Sequence, residues 1–181
     1  MADRRFTAHF DGACRPPRGG GVATYGFVLD GPGLHHEGRG LAAPPWSPES
    51  TNNVAEYTGA VRALEWMVAH GISGPVVLLG DSQLVLRQMQ GVYRVRAAHL
   101  RALHERLATL CGRFSAVELR WVPRERNREA DRLSKQALEE AWSDAVRRLP
   151  DHAGGGAPLP GNGTPRSTPR GTGSDYCQRT V

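Results

Sequence analysis

The chain is poor in the features that define most specialised protein classes. Its 181 residues hold three cysteines (Cys14, Cys111 and Cys177), an odd number with no CxxC pair. That argues against a disulfide framework and against a structural zinc site. No apolar run reaches membrane-spanning length, and the opening MADRRF lacks the apolar core of a signal peptide. The expectation is a reduced, cytoplasmic chain with no membrane segment, and no internal repeat is visible. From Asp151 onward aliphatic residues nearly vanish, and HAGGGAPLPGNGTPRSTPRGTGSDYCQRTV is rich in Gly, Pro, Ser and Thr. Residues 150–181 are therefore expected to form a disordered tail or linker, leaving 1–149 as a single folded domain.

Within that unit the apolar content, 39% over the whole chain, suffices for an ordinary soluble core. RFTAHFDGA alternates, with Phe6, Ala8 and Phe10 on one side and Thr7, His9 and Asp11 on the other. This predicts a strand with Asp11 on its polar face. ATYGFVLD and LHHEGRGLAA follow across turns, so the three strands are most simply an antiparallel meander. A helix opens at Thr51–Asn53 and runs to about His70, where Gly71 ends it. VVLLGD is a short buried-type strand, SQLVLRQMQG a short helix and VRAAHLRALHERLATLCG a longer one. AVELRWV alternates again, and NREADRLSKQALEEAWSDAVRRL is a final amphipathic helix. The order implies an α/β fold with a mixed sheet, since parallel strands need helical crossovers. Trp66, Trp121 and Trp142 sit in apolar patterns and are expected to pack. His35 and His36 lie on an edge strand with no partner spacing.

Four acids occupy special places: Asp11 on the first strand, Glu56 in the first helix, Asp81 after VVLLG, and Asp131 early in the last helix. Taken singly, Asp81 and Asp131 could be helix-capping or dipole-complementing acids. Taken together, their convergence would be strongly repulsive unless cations sat among them. Oxygen-only ligands suit Mg²⁺ or Mn²⁺, and two such ions about 3.5–4 Å apart are the apparatus of phosphodiester hydrolysis. The net charge of +5, carried almost wholly by residues 1–149, fits a polyanionic partner, although a solubilising surface charge gives the same number. An acidic pocket in a basic surface suits a nuclease.

FDGACRPPRGGGVATYGFVL, STNNVAEYTGAVRALEW, VVLLGDSQLVLRQMQG and WVPRERNREADRLS occur in the order and spacing of the ribonuclease H type 1 family. The resemblance covers about residues 5–142 and is greatest to the compact archaeal-type branch, which has no long basic protrusion. It implies a ribonuclease H-like fold with a five-stranded mixed sheet in the order 3-2-1-4-5, strand 2 antiparallel, flanked by helices. It also implies divalent-metal hydrolysis of the RNA strand of an RNA–DNA hybrid, leaving 5′-phosphate and 3′-hydroxyl ends. Asp11, Glu56, Asp81 and Asp131 match the family's metal-binding acids. Asn52 and Asn53 match asparagines used in the minor groove, where amides bond 2′-hydroxyls and base edges. Cys14 and Gln83 match other substrate contacts, and Thr51 a phosphate contact. Thr51 or Asn52 can cap the helix at the same time. Archaeal-type relatives can also cut double-stranded RNA, so that partner stays open, and a monomer is expected. Bacterial relatives can carry a phosphatase-like domain beyond such a linker.

One departure concerns the loop before the last helix, where many family members carry a proton-relaying histidine. Here it reads PRER, Pro123 to Arg126, with none. Arg124 is expected in that place, binding the scissile phosphate or the product, because arginine stays protonated; a solvated arginine is the other reading. Arg87, Arg94, Arg96, Arg101 and Arg106 form a stretch with Glu105 as its lone acid. It is either a hybrid-binding face or a solvated helix surface. Tyr93 lies near where relatives place an aromatic against the DNA strand. A catalytically silent nucleic-acid-binding module is the alternative to an enzyme. The intact acids favour the enzyme, since a pure binder would gain affinity by losing them.

Overall fold

The computed structural model describes residues 5–16 and 20–148; the tail expected over 150–181 lies outside the described residues. β1 (Phe6–Arg15), β2 (Val22–Gly31) and β3 (Leu34–Leu41) form the antiparallel meander. α1 (Asn52–Ala69) crosses to β4 (Val76–Gly80), which lies parallel to β1 on its free side. α2 (Gln83–Met89) and α3 (Ala98–Cys111) lead to β5 (Val117–Trp121), parallel to β4. A 3-10 turn at Arg124–Arg126 then feeds α4 (Arg128–Arg147). The sheet order is β3-β2-β1-β4-β5, with β2 antiparallel to both neighbours: the ribonuclease H-like α/β arrangement.

The boundaries of α1 follow local chemistry. Thr51 adopts extended backbone and its hydroxyl accepts from the Val54 N–H at 3.2 Å, satisfying one orphan donor of the first turn. At the other end Gly71 takes φ +73°, and Ile72 N donates back to Met67 O at 3.0 Å. α1 lies on one side of the sheet with α3, and Ala8, Phe10, Tyr57, Leu64 and Leu107 share its core. α4 covers the opposite side, where Ala13, Val22, Leu138 and Trp142 meet and Thr24 Oγ1 donates to Ser134 O at 2.8 Å.

This double cover sets the surroundings of Asp11. Asp11 does lie on the face opposite Phe10, but that face is closed by α4 and Asp11 is only 4% exposed. A polar–apolar alternation marks a solvated face only where no second layer packs on it. Trp121 corrects a sequence expectation. It was expected to pack, yet it is 49% exposed, because β5 is the sheet edge and no further strand or helix among the described residues covers its ring there. Trp66 and Trp142 are half-buried as expected: Trp66 between the rings of His36 and His70, Trp142 against Trp46. No helix among the described residues is long and apolar enough to cross a membrane.

α1 packs against β1 backbone to backbone. A Cβ added at Gly12 would stand 2.3 Å from the backbone N of Glu56, and one at Gly59 would stand 2.9 Å from Asp11 O. Both partners are backbone, so neither contact can relax by rotating a side chain. Gly12→Ala is therefore expected to destabilise by about 1–3 kcal/mol, as overpacking does. Urea denaturation checks this, and an unchanged midpoint would show that α1 is free to move off the strand.

Candidate active site

The sheet and α1 bring three of the acids together. Asp11 sits on central β1, Asp81 follows the last residue of the adjacent parallel strand β4, and Glu56 projects from the α1 turn seated on Gly12. Carboxylate oxygens of Asp11, Glu56 and Asp81 all lie within 4.8 Å of one another. They line an open cleft of about 500 Å³ together with Asn52, Arg124 and Asp131.

Neighbouring side chains fix this trio. The Ser134 hydroxyl donates to Asp11 Oδ2. Asn127, 1% exposed, donates from Nδ2 to Phe10 O at 2.8 Å and to Asp81 Oδ1 at 3.2 Å, while its Oδ1 meets His9 Nδ1. Asn52 Nδ2 donates to Glu56 Oε1 at 3.5 Å. The other Glu56 oxygen, Oε2, is buried with no hydrogen-bond partner.

Electrostatics follow from that geometry. Burial pushes Asp11 up to about 7, against the hydrogen bond from Ser134, and the charges of Asp81 and Asp131 add to the rise. Burial, then repulsion from Asp11 and Asp81, drives Glu56 well above the carboxylate range. Asp131 behaves oppositely. Partial burial pushes it up, but hydrogen bonds from Lys135 and Arg124 hold it below its ordinary value. Arg124 in turn is raised, first by that hydrogen bond to Asp131.

The four acids thus form a trio plus one. Asp131 lines the same cleft, but its carboxylate is engaged by Arg124 and by Lys135 Nζ at 2.7 Å. The trio is the single cluster of three or more such ligands among the described residues, and it holds no sulfur or imidazole. A buried carboxylate oxygen with no donor, beside two more carboxylates, fits a hard divalent cation.

The remaining sequence candidates are spread around the cleft. Cys14 lines it and its thiol donates to Ser50 O at 3.0 Å. Thr51 caps α1, Asn52 reaches the trio, and Asn53 is exposed on the first helical turn. Gln83 and Tyr93 are exposed and lie outside the acidic cleft. Arg124 stands inside it. The sequence reading missed Asn127, Ser134 and Lys135. The last two lie three and four residues after Asp131 on one face of α4, and that spacing was the available signal.

Residues 10–137 match the family model described as reverse transcriptase-like. The ribonuclease HI of Halobacterium salinarum is 34% identical over 76% of this chain and 66% of its own length. A crystal structure of ribonuclease H1 from that archaeon superposes with TM-score 0.65 at 35% identity, covering 75% of this chain and 98% of that one. The chain belongs to the ribonuclease H type 1 family. A bifunctional protein of Mycobacterium tuberculosis is 40% identical over 54% of this chain, which spans 26% of that relative's length. The solved N-terminal RNase H domain of that protein superposes with TM-score 0.70 at 32% identity, covering 79% of this chain and 99% of that one. LC11-RNase H1, solved with an RNA/DNA hybrid, gives TM-score 0.65 at 32% identity over 75% of this chain and 98% of its own.

For this ribonuclease H domain the trio has a measurable consequence. An acid whose folded pKa is raised, like Asp11, binds more protons folded than unfolded between about pH 4 and about pH 7. Its contribution to stability therefore falls as pH rises through that window. Asp11→Asn is expected to make the metal-free protein more stable at pH 8 by about 1 kcal/mol or more, ~2–4 °C in Tm. If a divalent ion raises the Tm of the parent, the same substitution should abolish most of that gain. Thermal melts with and without metal check both, and an undiminished metal response in the variant would remove Asp11 from the ligand set.

Proposed function

We propose that the chain is an endoribonuclease that hydrolyses the RNA strand of RNA–DNA hybrids using two divalent ions, Mg²⁺ or Mn²⁺, and leaves 5′-phosphate and 3′-hydroxyl ends. The observation that carries this reading is the trio of Asp11, Glu56 and Asp81, the first two buried, with Glu56 Oε2 left without a donor. The hybrid in the LC11-RNase H1 structure supports the substrate class.

Asp11, Glu56 and Asp81 would hold the ions, with Asp131 as the fourth carboxylate at the rim of the cleft. Ions bound there supply Lewis acidity toward the scissile phosphate and the attacking water. Asn127 and Ser134 keep the Asp81 and Asp11 carboxylates aimed at the cleft. Arg124 reaches the cleft as a permanent cation, so its task is to bind a phosphate oxygen and not to carry a proton.

RNA sensing falls to the start of α1. Asn52 spends an amide N–H on Glu56, which leaves its carbonyl to accept from a 2′-hydroxyl. Asn53, Gln83 and Cys14 would add minor-groove contacts, Thr51 a phosphate contact and Tyr93 a contact to the DNA strand. None of these groups rejects a second RNA strand, so double-stranded RNA is a secondary substrate in this reading.

Two outcomes are expected. In a panel of RNA–DNA hybrid, duplex RNA, duplex DNA and single strands, cleavage should need a divalent ion and be fastest on the hybrid. Asp81→Asn should lower it by about 10³-fold or more, the scale of losing a charge-stabilising group. Hybrid bound but uncut at every metal concentration would favour the silent module. Arg124→Ala should lower kcat about tenfold or more; a turnover number equal to the parent's would leave Arg124 with no part in the chemistry.

A further inference from the structure

Trp121, expected in the core and found exposed, stands beside the acidic cleft. Its indole Nε1 donates to the carbonyl of Asp81 at 3.2 Å, which fixes the ring next to a residue of the trio. With Gln83, Leu86, Arg87 and Gln90 it lines a hollow of about 340 Å³. Those four positions are spaced i, i+3, i+4 and i+7, so they share one face of α2. Leu86 is buried and forms the floor, while Gln83, Arg87 and Gln90 are exposed above it. Arg87 has no carboxylate partner among the described residues; its guanidinium sits over the Tyr93 ring, 5.5 Å from the centroid. Arg94 and Arg96, which follow, are exposed and likewise unpaired with any acid.

An exposed indole face, an uncompensated guanidinium and two side-chain amides in one groove match the parts of a nucleotide. The ring offers a stacking surface for a base or sugar, the arginine a site for phosphate, and the amides polar contacts between them. The groove also adjoins Asp81, so an occupant there is continuous with a strand whose phosphate lies at the trio. We propose that this groove holds a nucleotide of the hybrid flanking the cleavage point, with Trp121 stacked on it and Arg87 on its phosphate. The inference rests on the hybrid-cleaving reading for the identity of the polyanion. It adds Trp121, Arg87 and Gln90 as substrate contacts outside the acid cleft.

The test is binding of fluorescently labelled hybrids by anisotropy, with Ca²⁺ in place of Mg²⁺ and intact strands verified on a gel. Two lengths are used, one covering the acidic cleft alone and one long enough to cross the groove. Trp121→Ala should weaken the long hybrid about fivefold or more, the low end of aromatic stacking, and Trp121→Phe should restore most of it. Arg87→Ala should weaken the long hybrid and reduce the slope of log affinity against log salt by about 1. Neither variant should change binding of the short hybrid. Equal loss on both lengths would mark a structural defect and overturn the groove, as would unchanged affinity for the long hybrid in both variants. A parent protein that binds no hybrid of either length would overturn the groove and the proposed function together. A parent that binds while the variants match it would overturn the groove alone.

Discussion

Three carboxylates held within 4.8 Å in one cleft, two of them buried, are the constraint around which this fold is arranged. Parallel pairing of β1 with β4 sets Asp11 and Asp81 side by side, and the side-chain-free surface at Gly12 lets α1 press Glu56 against them. Like charges so close in a poorly solvated site cannot all remain ionised without compensation. Asp11 and Glu56 respond by holding their protons to unusually high pH. The metal-free folded state thus stores an electrostatic demand that a divalent cation meets, and stability and metal affinity become two readings of one quantity.

α4 is the element that makes this arrangement definite. It contributes Ser134 to Asp11, while Asn127 at its N-terminus joins β1, β4 and His9 through one buried amide. A fully satisfied amide in that position fixes the relative height of the two strands as well as the angle of Asp81. The same helix brings Asp131 but also brings its counter-charge, Lys135, one turn later, with Arg124 supplied by the preceding 3-10 turn. The fourth acid is therefore ionised and neutralised where the other three are crowded and short of cations. Two different electrostatic solutions stand side by side in one cleft.

Much of this was legible in the sequence. Short-range signals placed every element: the Thr51 cap and Gly71 stop for α1, the unbroken VVLLG run for β4, the amphipathic period of α4. The recurring DG, TNN-x-x-E, GDS-Q and N-x-x-AD motifs carried the family and hence the strand order, which no local pattern encodes. What escaped was set by layers and edges. Alternation in β1 could not reveal that α4 closes the second face over Asp11, nor could alternation in β5 reveal that an edge strand leaves Trp121 uncovered. Ser134 and Lys135 escaped because their partners are defined only once α4 docks on β1 and β2.

Net charge illustrates why position outweighs sum. Many arginines are spent locally: Arg62 and Arg106 on Glu65, Arg120 on Glu118, Arg132 on Glu37 and Glu129, Arg39 on Glu140. Such pairs look neutral beyond a Debye length of about 8–10 Å and add little to an approaching polyanion. Arg87, Arg94, Arg96 and Arg101 follow one another in sequence with no carboxylate partner among the described residues, and they begin on the helix that starts two residues after Asp81. Arg106, grouped with them by sequence, drops out because Glu65 claims it. Positive charge without a carboxylate partner among the described residues is thus carried along the segment that follows Asp81 and also at Arg113, Arg126 and Arg128. In the proposed reading, a duplex drawn to the arginines that follow Asp81 would arrive with its phosphates beside the acidic trio, so attraction and chemistry would draw on neighbouring but separate groups.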